Sequence, residues 1–156
     1  NPRDTHPWVY LNRRTVEASR VPFDEVEKYA RTWLANRADA EVAFGRTQLE
    51  AERFPDGSVG RMVQLAYRPD RCGDVYVLTK PYVLMMGGFS TGTSHGTPHR
   101  YDRHVPVLAV GAGVPKLGKR DEAVSSLVVA PLVAHALGVK PPSEAREKVP
   151  AALTTP

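Results

Sequence analysis

The stretch GTSHGTPHRYDRHVPVLAVG, residues 92–111, contains the two features that decide the expected fold. Residues 92–104 hold glycine, proline, hydroxyl side chains and histidine without any helical or strand period, so they predict the end of a long loop at residues 87–104. Loops of this length inside a domain are uncommon and are often functional. Residues 105–110 are apolar on both faces, which is typical of a buried strand.

The rest of the chain predicts short strands alternating with helices. Strand-like runs of β-branched and aromatic residues occur at 8–11, 40–44, 75–79 and 82–86, with a polar connection at 12–20. Apolar residues at helical spacing predict helices at 24–34, 59–67 and 131–137, and residues 46–53 are expected to form a helical turn. This alternation favours a layered α/β or α+β domain over a bundle or a sandwich.

Length and composition limit the possible classes of protein. A chain of 156 residues with 42% apolar content has room for one domain with a hydrophobic core. No run approaches the roughly 18 uninterrupted apolar residues of a membrane span, so no membrane partner is expected. The net charge of +4 comes from scattered Lys and Arg, so no nucleic-acid partner is expected. Residues 140–156 predict an exposed tail.

Histidines are the candidate metal ligands. Cys72 is the sole cysteine, so a thiolate cluster is excluded and any metal must bind through imidazole and carboxylate. His95, His99 and His104 lie within ten residues, and imidazole suits zinc. His95 is the best candidate, because Gly96 follows it and small hydroxyl residues flank it. The spacing alone also fits a polar surface loop without a metal, since glycine and proline disfavour the helix that would align these side chains.

The remaining polar candidates have weaker expectations. His104 is expected to cap or pack at the start of the strand at 105–110, and His135 to be partly buried on the last helix. The loop hydroxyls have no evident base partner in the sequence, so they are expected to form turns rather than to act as nucleophiles. They are Thr91, Thr93, Ser94 and Thr97.

Ten positions of residues 92–111 fit one pattern, roughly G-T-x-H-G-S-P-x-x-Y-D-x-x-V-P followed by an apolar strand and a glycine. They are Gly92, Thr93, His95, Gly96, Pro98, Tyr101, Asp102, Val105, Pro106 and Gly111. This segment resembles the alkaline phosphatase superfamily, including its phosphomonoesterases and type I phosphodiesterase/nucleotide pyrophosphatases. Residues 129–142 resemble the closing helix of that family, and residues 10–75 resemble the part that precedes the loop. The chain departs from the pattern at Cys72, His99 and Val128.

The resemblance implies a fold and a site. Residues 1–156 would form a single C-terminal segment of a three-layer α/β/α fold, with a mixed sheet and flanking helices. His95 would be a ligand of one of two zinc ions, with residues 87–104 as the metal-site loop. The catalytic nucleophile and the other ligands would lie outside this chain. Asp102 could accept a hydrogen bond from the second nitrogen of the His95 imidazole, although a loop aspartate before a strand is more often a turn residue.

The implied function is that of one segment of a two-zinc phosphoric ester hydrolase. The complete enzyme would be extracytoplasmic (periplasmic or secreted) and would act on a phosphate ester. The remainder of the same polypeptide, or another chain, would cover the open sheet, and this chain alone would be inactive. The alternative is a standalone binding or interaction module that keeps the subfold without catalysis. The choice between monoesters, diesters and sulfates stays open.

Overall fold

The computed structural model describes residues 7–84 and 92–154, which form two compact units divided between His104 and Val105. The first unit contains strands β1 (Trp8–Val9), β2 (Ala40–Gly45) and β3 (Val75–Thr79). Its helices are α1 (Arg13–Ser19), α2 (Phe23–Ala35), α3 (Arg46–Ala51), α4 (Val59–Ala66) and α5 (Arg100–Arg103). The second unit contains α6 (Val129–Leu137), with 3-10 turns at Ser126–Val128 and Ala151–Leu153. None of the helices in these ranges is long and apolar enough to cross a membrane.

The sheet has the order β1-β3-β2, and both described strand pairs are antiparallel. Tyr76 of β3 lies between Trp8 of β1 and Phe44 of β2. All five residues of β3 are buried, which explains why this run has no polar alternation. The strands predicted at 40–44 and 75–79 are confirmed. The strand predicted at 8–11 ends at Val9, because the Leu11 N–H donates to the side chain of Asp74.

Helices cover both faces of this sheet. Val75 and Val77 point to a cluster with Leu34 of α2, while Tyr76 and Leu78 point to the opposite cluster with residues of α3 and α4. The alternation follows from the strand period of two residues. The unit is therefore layered as helix, sheet and helices, which confirms the α/β class.

Helices α2, α4 and α6 lie where apolar spacing predicts them, and α3 lies where a helical turn was expected, but two details differ. On α2, Tyr29 and Trp33 are 74% and 56% exposed, whereas Leu34 reaches the core. Helix α1 occupies the stretch predicted as a polar connection. Its signal was the cap at Asn12, whose side chain accepts the Thr15 N–H at 3.2 Å.

Two buried carboxylates tie the helices to the sheet. Glu27 of α2 is 1% exposed and accepts the Thr47 hydroxyl at 2.5 Å and the Thr47 N–H at 3.2 Å. A side chain at Gly45 would collide with this carboxylate. Asp74, 4% exposed, accepts the Leu11 N–H at 2.8 Å and the Arg13 guanidinium at 2.5 Å. These carboxylates are satisfied, so they stabilise the packing rather than forming an open site.

The strand predicted at 105–110 is wrong, and the one predicted at 82–86 is not found over its described residues. Residues 105–110 form no strand with any described residue, and Leu108 and Val110 are 90% and 97% exposed. The apolar pattern reports a tendency to be buried, but a strand also needs a neighbouring backbone with which to bond. In the strand predicted at 82–86, residues 82–84 are not extended into the sheet, since Tyr82 has φ +64°, and residues 85–86 lie outside the described ranges.

The closing helix of the second unit is confirmed. Helix α6 ends at Gly138, which adopts the left-handed conformation at φ 67° expected of a glycine cap. Pro131 and Leu132 are buried on it. His135 was expected to be partly buried, but it is exposed. It lies on the outward side of the helix, whereas the preceding residue, Ala134, is buried.

Candidate metal-ligand site

The backbone turns sharply just after His95. Gly96 has φ +91°, a conformation that residues with a side chain rarely adopt. The imidazole of His95 is exposed, and its flanking residues Ser94 and Gly96 are exposed as well. The sequence reasoning that Gly96 leaves this imidazole uncrowded therefore fits the local geometry.

Asp102 holds the turn that follows His95. Its Oδ2 accepts the Thr97 N–H at 2.9 Å and the Thr97 hydroxyl at 2.5 Å. These two hydrogen bonds lower the pKa of the Asp102 carboxyl below its ordinary value. The suggested bond from Asp102 to the His95 ring does not occur among the described contacts. Asp102 instead acts as the turn residue that the sequence favoured.

Thr97 has a carboxylate partner that sequence reasoning missed. A hydroxyl beside a carboxylate can resemble a nucleophile with its base, but the lowered pKa makes Asp102 a weak proton acceptor. The same carboxylate also binds the Thr97 backbone, and the Thr97 hydroxyl accepts the His99 N–H at 3.3 Å. All these bonds close the turn, so they favour a structural role for Thr97.

His99 anchors the loop to the sheet. Its Nε2 lies 2.8 Å from the carbonyl oxygen of Thr79 at the end of β3, so this nitrogen carries the donated proton. The Glu41 carboxylate is 3.8 Å away, and the side chain is 10% exposed. The ring stacks on Tyr101, with centroids 5.3 Å apart. His99 is thus held in place by these contacts. It stands at a position where the family pattern commonly has an aromatic residue.

The loop ends in a helical turn, which corrects the expectation of an irregular stretch up to residue 104. Helix α5 begins at Arg100, two residues after Pro98, where the proline no longer blocks helical hydrogen bonding. The His104 N–H donates to the Arg100 carbonyl at 2.8 Å and ends α5. The exposed side chain of His104 therefore follows a helix rather than starting a strand.

The described residues hold no complete metal site. Across residues 7–84 and 92–154, no group of three or more His, Cys, Asp or Glu side chains is close enough to hold a metal. A zinc ion at a catalytic site needs about three protein ligands. The exposed imidazole of His95 has the right chemistry for one of them. The residues present therefore fit a shared site to which this chain contributes one donor.

The chain is similar to alkaline phosphatases in sequence and in fold. The alkaline phosphatase PafA of Elizabethkingia meningoseptica is 26% identical over 137 residues, which is 88% of this chain and 24% of the relative. The alkaline phosphatase PhoV of Synechococcus elongatus is 36% identical over 144 residues, 90% of this chain and 25% of the relative. The crystal structure of PafA matches 95% of this chain and 28% of that chain, with a TM-score of 0.73 and 24% identity. That structural match shows the fold alone.

Two further comparisons bear on how far the relationship extends. A protein of Myroides odoratus named as a calcium-transporting ATPase is 27% identical over 135 residues, 86% of this chain and 24% of the relative. No protein-family model matches the chain. The chain spans about a quarter of the length of the relatives it matches. It is therefore related to a C-terminal portion of the alkaline phosphatases, as residues 92–111 predict, but this portion does not by itself define an activity.

Proposed function

We propose that this chain is a segment of a metal-dependent phosphoric ester hydrolase and that His95 donates one imidazole to zinc. The observation that carries the proposal is the exposed His95 at a glycine turn, inside the ten-residue pattern that resembles the alkaline phosphatases. The His99 ring is hydrogen-bonded to Thr79 and the Asp102 carboxylate to Thr97, which leaves His95 as the exposed imidazole at the glycine turn. His104 is also exposed, but it follows helix α5.

Zinc bound in such an enzyme supplies Lewis-acid stabilisation of the oxygens in phosphoryl transfer. The residues of this chain would position the His95 imidazole. Asp102 fixes the turn through Thr97, and His99 fixes the same loop to β3, so the backbone that follows His95 and Gly96 is held at two points. A preorganised donor costs less ordering when the ion binds. The chain alone would be inactive, because one imidazole does not retain a catalytic ion.

The proposed partner is the remainder of a phosphatase polypeptide, or another chain in its place. The second unit exposes many large apolar side chains, which a monomeric domain normally buries. The most exposed are Leu108, Val110, Leu127 and Leu137, at 90%, 97%, 65% and 70%. A covering partner fits both these residues and the quarter-length match to the relatives. The extracytoplasmic location and the phosphate ester substrate belong to the same proposal.

The test uses the longest reading frame that contains this chain, expressed with and without His95→Ala. We expect the parent product to retain zinc and to hydrolyse a phosphate monoester or diester. His95→Ala should lose bound zinc and lower activity at least about a hundredfold, because it removes a direct ligand. His104→Ala is the matched control, since it removes an exposed imidazole from the same loop. Full zinc retention by His95→Ala would disprove the ligand assignment.

A further inference from the structure

An apolar groove lies beside the turn that carries His95. Its volume is about 250 Å³, and Trp8, Met62, Tyr76 and Pro98 contribute its apolar lining. Val63 and Tyr76 are buried at its floor, at 3% and 6% exposure. A lined apolar cavity of about 150 Å³ is enough to admit a benzene ring, so this groove has room for one aromatic ring.

Cationic side chains stand at one end of this groove. Arg103 lines the groove and also a neighbouring recess of about 240 Å³, which it shares with Arg100 and His104. The Nε of Arg103 donates to the Pro98 carbonyl at 2.7 Å, which fixes the guanidinium between the two spaces. Neither arginine has an ion pair within residues 7–84 and 92–154. Asp102 lines neither space, and its Oδ2 is taken up by Thr97.

We propose that these two adjoining spaces form one binding site for a small aromatic anion. The ring would lie in the groove against Trp8 and Pro98, and the anionic group would lie between Arg100 and Arg103. Shape and charge together select this ligand class: the groove lining is mostly apolar, and the two arginines that border the recess carry guanidinium groups, which favour carboxylate, sulfonate or phosphate. The site needs neither zinc nor His95, so it does not depend on the proposed hydrolase function.

The experiment titrates the isotope-labelled 156-residue chain with phenyl phosphate in metal-free buffer and follows the amide and indole signals by NMR. We expect saturable shifts confined to the Trp8 indole, helix α4 and residues 96–104. Benzyl alcohol and inorganic phosphate should each bind about tenfold more weakly, because each satisfies only one of the two spaces. Equal binding of benzyl alcohol would overturn the proposal, as would shifts spread over both units or no saturation.

Matched variants distinguish binding at this site from nonspecific attraction between the ligand and the positively charged surface. Arg103→Gln and Arg100→Gln should each weaken phenyl phosphate binding about tenfold, while Arg14→Gln, an exposed arginine of α1, should leave it unchanged. An equal loss in Arg14→Gln would overturn the proposal. If Arg103→Gln disturbs the fold by losing its bond to Pro98, Arg100→Gln carries the test, since no described hydrogen bond involves its side chain. His95→Ala should bind phenyl phosphate normally, which keeps this outcome distinct from failure of the hydrolase proposal.

Discussion

The carboxylate of Asp102 accepts both the backbone N–H and the hydroxyl of Thr97, at 2.9 and 2.5 Å. These bonds close the chain over the four residues between the two positions and fix the backbone immediately after Gly96. The aspartate of the family pattern therefore has a physical role in this chain that does not require contact with the His95 ring.

Loss of Asp102 should loosen this turn. In Asp102→Ala the Thr97 amide should exchange with solvent about tenfold faster, because a charge-assisted hydrogen bond is removed. Since the folded pKa of Asp102 is lowered, its contribution is present above the ordinary value of 3.8 and is lost as the pH falls through the lowered value. Hydrogen exchange followed by NMR measures both effects, and Asp121→Ala, an exposed change in the second unit, is the control. Unchanged exchange at Thr97 would contradict the role assigned to Asp102.

The buried Glu27 carboxylate should contribute more to the free energy of unfolding than an exposed carboxylate does. Glu27→Ala leaves both donors of Thr47 without their acceptor and opens space beside Gly45, so the free energy of unfolding should fall by about 2–4 kcal/mol. Glu27→Gln, which keeps the size, should cost less. Urea denaturation measures the loss. Glu17→Ala on the exposed side of α1 should change the free energy of unfolding by less than about 0.5 kcal/mol, and an equal effect of the two alanine variants would refute the prediction.

Central packing of the sheet should depend on Leu78. Leu78→Ala removes a side chain that is 1% exposed, so the free energy of unfolding should fall by about 2–5 kcal/mol through lost burial and a residual cavity. Leu65→Ala makes the same chemical change at 70% exposure and should be nearly neutral. The difference in urea midpoint between these two variants is the measurement. Comparable midpoints would mean that the cluster around β3 is not the folding core.

Alkaline titration should detect the late ionisation of the Tyr76 hydroxyl. Burial raises the pKa of Tyr76 to about 12, above its ordinary value of 10. Because the folded pKa is raised, this contribution to stability is complete below pH 10 and is lost as the pH rises from 10 through about 12. The ultraviolet absorbance of tyrosinate should therefore show a late step that coincides with loss of tertiary signal. Tyr76→Phe should shrink the late step, whereas Tyr29→Phe, at an exposed position, should not.

The sequence predicts local structure well where a single element carries its own signal. The β-branched run at 75–79 and the glycine at 138 define the ends of β3 and α6, because backbone propensity and capping act within a few residues. It fails at residues 105–110, where the apolar pattern is clear but no described backbone pairs with it. It also misses α1, whose signal was an asparagine cap rather than an apolar stripe.

The same division holds for the candidate site. The residue pattern by itself singled out His95, because Gly96 and the small neighbours leave its imidazole uncrowded, and it identified the phosphatase relationship. Only the tertiary structure decided that His99 is tied to Thr79 of β3, that Asp102 serves Thr97, and that Arg103 borders an apolar groove. Contacts between residues distant along the chain depend on how strands and helices pack. Local conformational propensity does not determine that packing.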